Sequence, residues 1–164
     1  MPTTSYAIAL GSNRRGRHGS PERELLAAIT ALGRVTTVSP ILQTAALGPS
    51  KRRFANAVAI LETGDDPPAL LARLKGIEGA FGRRPGQRWG ARVIDLDIIL
   101  WSNGAWSSPG LTVPHPHFRT RNFVLDPLAR IAAGWRDPVT GLTVRHLRAR
   151  LTRAIPVDPP SPCA

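Results

Sequence analysis

The segment Arg88-Trp-Gly-Ala-Arg92-Val-Ile-Asp95-Leu-Asp97-Ile-Ile-Leu100 limits what this chain can fold into more than any other. From Ile94 onward it is aliphatic enough for a buried strand, yet two carboxylates interrupt it at a spacing of two. Successive strand side chains point to opposite faces. Asp95 and Asp97 therefore share one face, while Ile94, Leu96 and Ile98 share the other. Carboxylates placed in this way stand roughly 7 Å apart and repel by about 2 kcal/mol at an effective dielectric of about 20. A strand has no folding reason to carry that cost, so positive charge belongs between them. Two sources are open at this point: Arg88 and Arg92 on an exposed ion-paired face, or a divalent cation. Mg²⁺ takes one or two carboxylates together with waters and phosphate oxygens, and the apolar flanks of the pair favour the cation.

Charge balance bears on the same question. Lys and Arg number 22 against 11 Asp and Glu, a net charge of +11, which points to an anionic partner such as nucleic acid or phosphates. Aromatic residues make up 5%, low for a protein that stacks single-stranded bases. At 164 residues, 42% hydrophobic and 20% charged, the chain reads as a single globular domain over residues 1–155 with a Pro-rich, unstructured tail over 156–164. The only cysteine, Cys163, lies in that tail, so neither a disulfide framework nor a cysteine zinc site is expected. No run is long and apolar enough to span a membrane, and the N-terminus lacks signal-peptide patterning. A cytoplasmic location is expected.

In chain order, Ser5–Leu10 is a first strand ended by Gly11. The Gly- and Arg-rich stretch Gly11–Gly19 superficially resembles a phosphate loop, but Arg17-His18 stand where Lys-Ser/Thr is required, and that reading fails. Ser20 with Pro21 begins a helix whose stripe is Leu25, Leu26, Ile29 and Leu32, stopped by Gly33. Val35–Thr44 is a second strand, with Pro40 requiring an edge or a bulge. Phe54–Leu61 is a third, placing Phe54, Asn56, Val58 and Ile60 on one face. Asn56 is either an edge-facing polar residue or an amide aimed at a ligand.

Asp66 caps a second helix with Leu70, Leu71, Leu74 and Ile77 inward. Glu78 falls one residue past that stripe, where its charge opposes the helix dipole. It is expected at a solvated surface, with the misplacement a hint of a role. Gly82–Arg92 carries Arg83, Arg84, Arg88 and Arg92 and is expected to be a mobile loop. Leu111–Phe118 is a short extended piece containing His115 and His117, better suited to phosphate or base contact than to zinc. Helices are expected over Val124–Ala133 and, with a basic face, over Thr143–Ala154.

Strand, helix, strand, strand, helix, strand is the ferredoxin-like split βαβ order. The expected class is therefore α+β: a βαββαβ core with an antiparallel sheet and additional C-terminal helices. One sheet face is expected under helices and the other open to a ligand. An RNA-binding module on this fold is the competing class, but it would present aromatics where this chain presents Asp95 and Asp97.

The motifs Ala9-Leu-Gly-Ser-Asn13, Thr44–Pro49, Phe54-Ala-Asn-Ala-Val58, Arg88–Leu100, Leu111-Thr-Val-Pro-His115 and Arg121–Leu128 together resemble the 6-hydroxymethyl-7,8-dihydropterin pyrophosphokinases of folate synthesis. The resemblance implies transfer of pyrophosphate from ATP to the pterin hydroxymethyl group, with two Mg²⁺ ions held by Asp95 and Asp97. It implies catalytic roles for Arg83, Arg92 and Asp97. It implies ATP contacts by Glu78, Arg84, Trp89, Arg92, Ile98, Leu111, Thr112, His115 and Arg121. Pterin contacts would come from Thr44, Leu47, Phe54, Asn56, Trp89, Asp95 and Phe123. ATP and the pterin are then the partners, with no nucleic acid or membrane, and a monomer is expected. This sequence departs from the family pattern at Ala91, where proline is usual, at Gly110, where a basic residue is found, and at Pro116 beside His115.

Overall fold

Period-two patterning produces one antiparallel sheet in the computed structural model, which describes residues 2–44, 53–82 and 93–153. Its strands are β1 (Thr4–Ser12), β2 (Val35–Val38), β3 (Leu42–Thr44), β4 (Phe54–Thr63) and β5 (Asp95–Trp101), in the order β2-β4-β1-β5 with β3 also on β4. The second expected strand is thus two pieces. Pro40 can donate no ladder bond, so regular pairing breaks after Ser39, whose N–H still donates to the Val58 carbonyl at 2.9 Å, and β2 and β3 pair β4 separately. Helices α1 (Pro21–Leu32) and α2 (Pro67–Ala80) begin at Ser20 and Asp66, whose side chains accept from Arg23 and Ala69 N–H groups. Gly33, at φ +95°, ends α1 in a conformation that side-chain-bearing residues rarely adopt.

The α1 and α2 stripes pack on the face formed by Tyr6, Ile8 and Leu10 of β1, the alanines Ala55, Ala57 and Ala59 of β4, and Leu96 and Ile98 of β5. The opposite face differs from the expectation of an open ligand surface. Helices α3 (Asn122–Ala132) and α4 (Val144–Thr152) cover half of it. They bury Val124, Leu125, Leu128, Val144 and Leu147 against Ala7, Val58, Ile60 and Ile99. The physical reason is the apolar character of those strand positions, each worth about 1.5–3 kcal/mol for a fully buried large aliphatic side chain. A hairpin of β6 (Trp106–Ser108) and β7 (Leu111–Val113) follows β5. It takes in the first residues of the expected extended piece, and a 3₁₀ turn at Phe118–Thr120 leads into α3.

Candidate active site

Register decides which residues meet on the part of this face that none of the described helices covers. Gly11 pairs with Asn56 on one side and Asp95 on the other, and Ala9 pairs with Val58 and Asp97. Asn56, Gly11 and Asp95 therefore form one row across β4, β1 and β5 on the same face, with Phe54 two residues beyond Asn56 and Asp97 two beyond Asp95. The middle of the row is a glycine, and a Cβ there would stand 3.2 Å from the Asn56 amide oxygen. The glycine lets the Asn56 amide lie close over β1 between its own strand and the one that carries Asp95. Farther along the same strands the face is aliphatic and covered by α3 and α4, so a single sheet face divides into an apolar half and a polar corner.

Asn56 is 7% exposed and donates from Nδ2 to Thr44 Oγ1 at 3.3 Å, which brings two of the expected pterin residues together. Phe54 is half-buried opposite Thr44. Phe123, in the first turn of α3, packs against the core beneath α3 and α4, with the Arg121 guanidinium 5.7 Å from its ring centre. Asp95 and Asp97 are both half-buried at the start of β5.

Strand β5 is at the sheet edge, and its outer side is closed by two groups from the expected set. The His115 N–H donates to the Ile99 carbonyl at 2.9 Å. Glu78 Oε1 accepts from the Leu96 N–H, also at 2.9 Å, and its Oε2 accepts from Lys75 Nζ at 3.2 Å. Glu78 is 2% exposed, which overturns its expected solvated position. The charge tolerated at the end of α2 is turned inward, onto the peptide that joins Asp95 to Leu96.

His115 Nδ1 accepts from the His117 N–H at 3.1 Å, which assigns the proton of the neutral ring to Nε2. Burial pushes its pKa below the ordinary histidine value; the Asp97 carboxylate opposes this, and Arg121 and His117 reinforce it. A neutral Nε2–H donor near Asp97 results. Thr112 is exposed on β7. Ile98 and Leu111 have their side chains in the α1–α2 core, so any contact they make with a nucleotide runs through the backbone. Leu47, Arg83, Arg84, Trp89 and Arg92 lie outside the described residues, as do Arg88 and the tail over 156–164.

Among the described residues no group of three or more His, Cys, Asp or Glu is placed to hold a metal. The acid pair is a two-carboxylate donor set, which fits Mg²⁺ completed by water and phosphate oxygens and does not fit zinc.

Fold and corner together define a class, an α+β domain that carries an acid pair across from an amide on one sheet corner. The family model for 7,8-dihydro-6-hydroxymethylpterin-pyrophosphokinase matches residues 7–133, and the chain belongs to that family. A 2-amino-4-hydroxy-6-hydroxymethyldihydropteridine pyrophosphokinase of Pseudomonas aeruginosa is 41% identical over 137 residues, covering 80% of this chain and 82% of the relative. One from Synechocystis sp. is 40% identical over 116 residues, covering 70% of this chain and 60% of the relative. Among solved structures, a Plasmodium falciparum HPPK-DHPS triple mutant superposes with a TM-score of 0.69 at 14% identity. That match covers 91% of this chain and 43% of the other, a likeness that speaks for the fold alone.

Proposed function

We propose that the chain is a Mg²⁺-dependent diphosphotransferase of folate biosynthesis that moves the β,γ-pyrophosphoryl unit of ATP onto 6-hydroxymethyl-7,8-dihydropterin. The bond formed joins the hydroxymethyl oxygen to the β-phosphorus. The bond broken is the one from that phosphorus to the oxygen bridging the α-phosphate, so the hydroxyl gives up its proton and AMP leaves. The observation that carries this reading is the row Asn56–Gly11–Asp95, with Asp97 beside it, on one sheet corner that none of the described helices covers. A flat heterocycle fits over a glycine floor flanked by an amide and a carboxylate, and a triphosphate fits where the acid pair and cationic groups converge.

On this reading Asn56 and Thr44 read the polar edge of the pterin, Phe54 and Phe123 flank its ring, and Asp95 holds the hydroxymethyl end. Leu47 and Trp89 complete that pocket. His115, Arg121, Thr112 and Arg84 bind ATP, with Glu78 fixing the strand beneath and Ile98 and Leu111 contributing backbone. Arg83 and Arg92 meet the charge that develops on the transferred group, so catalysis is chiefly positioning and charge stabilisation. Asp95 and Asp97 would hold two Mg²⁺ ions, which when bound neutralise the triphosphate and polarise its phosphoryl oxygens. The α3–α4 cover argues against the RNA-binding alternative, because it occupies the sheet face on which such modules stack bases.

The working unit in this proposal is a monomeric domain over residues 1–155 acting on small molecules in the cytoplasm, with neither nucleic acid nor membrane as a partner. Among the described residues no helix is long and apolar enough to cross a membrane. The test is incubation with ATP, Mg²⁺ and hydroxymethyldihydropterin. Formation of AMP with the pterin diphosphate is expected, and ADP in place of AMP would refute the assignment.

A further inference from the structure

The Gly- and Arg-rich stretch Gly11–Gly19, which fails as a phosphate loop, is a firmly held seat for its own cations. Glu24, in the first turn of α1, is 0% exposed. It accepts from the His18 N–H at 2.7 Å and the Gly19 N–H at 3.2 Å, and meets His18 Nδ1 at 2.9 Å. Gly16 and Gly19 close the turn by exchanging backbone bonds of 3.1 and 3.2 Å. The His18 ring lies against Phe81 with centroids 4.7 Å apart, and a Cβ on Gly16 would stand 2.6 Å from Val93 Cγ1. On the other side Ser12, 2% exposed, donates from Oγ to the Arg14 carbonyl at 3.3 Å. Arg14 and Arg15 therefore project from backbone that is fixed before and after them.

These two cations line a cleft of about 500 Å³ whose polar walls are Asn13, Arg14, Arg15, Glu22, Gln43 and Arg53. The loop after β1, the first turn of α1, β3 and the residue before β4 all contribute. Gln43 Nε2 donates to Glu22 Oε1 at 2.6 Å, which ties β3 to α1 and engages the carboxylate in the lining. Among the described residues, the side chains of Arg15 and Arg53 make no ion pair or hydrogen bond. Folding gives no reason to gather three guanidinium groups around one concavity, where like charges repel and the field is focused. The cleft is also separate from the acid-pair corner. Gln43 and Thr44 are successive residues of β3 and face opposite sides of the sheet, and it is Thr44 that meets Asn56.

We propose that this cleft is a second ligand site, one that takes a small molecule carrying a diphosphate group. Its volume falls in the range of small-molecule sites. A guanidinium donates paired hydrogen bonds to phosphate oxygens, and the Asn13 amide adds a neutral donor beside the three arginines. A diphosphate offers two charged phosphoryl groups to those arginines, whereas a single phosphate leaves part of the cationic wall unmet. No metal is needed here. The acid pair, by contrast, repels phosphate until a cation sits on it, and this difference separates the two sites experimentally. The proposal goes beyond the pyrophosphokinase reading and stands independently of it.

The experiment is calorimetric titration of the full chain with inorganic pyrophosphate, methyl diphosphate and inorganic phosphate. EDTA is present, so that no divalent cation occupies the acid pair. Pyrophosphate is expected to bind at least about tenfold more tightly than phosphate. Methyl diphosphate binding alongside it assigns the site to diphosphate esters, and pyrophosphate binding alone assigns it to the free anion. Binding of neither would overturn the proposal. Arg15→Ala combined with Arg53→Ala is expected to weaken pyrophosphate by about 10²-fold, roughly tenfold for each arginine. Undiminished affinity in that variant would place the anion elsewhere. Arg145→Ala combined with Arg150→Ala makes the same charge change at exposed positions of α4 and is expected to alter affinity by less than about twofold at about 0.1 M salt. Equal losses in the two double variants would reduce the effect to net charge and sink the site. Glu22→Gln keeps an acceptor for Gln43 and removes a negative charge from the wall, so it is expected to tighten pyrophosphate by about threefold or more. A damaged fold does not produce such a gain, and an unchanged affinity in Glu22→Gln would also count against the cleft.

Discussion

Asp97 stands beside Ala9 on a half-covered face, so removing its carboxylate leaves neither a cavity in the core nor an unpaired buried donor. Asp97→Ala is therefore expected to keep its Tm near that of the native chain and to lose at least about 10³-fold in turnover. A variant turning over at near the native rate would sink the acid-pair assignment. Glu78 is the contrasting case. Truncation to Ala strands the buried Leu96 N–H that Oε1 now accepts, a loss of about 1–3 kcal/mol. Glu78→Gln retains an acceptor and should lose less. Urea denaturation of the two variants checks this, and an unchanged midpoint in Glu78→Ala would show that the bond to β5 contributes nothing.

At the scale of elements, the α3–α4 pair is fastened to the 3₁₀ turn after His115 by an ion pair whose carboxylate is buried and whose guanidinium is partly exposed. Arg119 forks onto Asp137 through Nε and through Nη2, the latter at 2.8 Å. Asp137 also accepts from the Thr140 hydroxyl at 2.7 Å and the Val139 N–H at 3.0 Å. Burial alone would raise the Asp137 pKa, but these donors outweigh it and hold the carboxyl at about 2. The unfolded chain therefore takes up a proton at this site before the folded one does. The stabilisation is fully present above pH of about 4 and is lost as pH falls through about 2, worth about 2 kcal/mol. In Asp137→Asn, stability at pH 7 should fall, and the part of the acid limb between pH of about 4 and 2 that this group supplies should vanish. Parallel pH profiles of the two proteins by urea denaturation would contradict that account.

Over the whole molecule, α1 and α2 pack on one side of the sheet, and among the described residues α3 and α4 pack on the other side away from the Asn56–Asp95 corner. The corner that none of the described helices covers is where ligand contacts can add to stability. ATP with Mg²⁺ at about 100 times its dissociation constant should stabilise the chain by about 2.7 kcal/mol, a Tm rise of roughly 5–10 °C for a chain of this size. Chelation of the metal should remove most of the shift, as should Asp95→Asn combined with Asp97→Asn. A shift that survives both changes would place the nucleotide elsewhere.

The sequence by itself determined the first, third and fourth strands of the expected order, the first two helices and the side chains on each face of those strands, because strand alternation and helix caps are local properties. Asp95 with Asp97, Phe54 with Asn56, and the starts of α1 and α2 at Ser20 and Asp66 were all legible in this way. Only the tertiary structure decided that Asn56, Gly11 and Asp95 line up, since register between strands distant in the chain is a long-range choice. It also turned Glu78 inward onto Leu96, drew α3 and α4 over half a face expected to be open, and set Gly16 and His18 against Phe81 and Val93. In each of these the partner comes from another element, brought near by burial of apolar surface, and no local pattern encodes it.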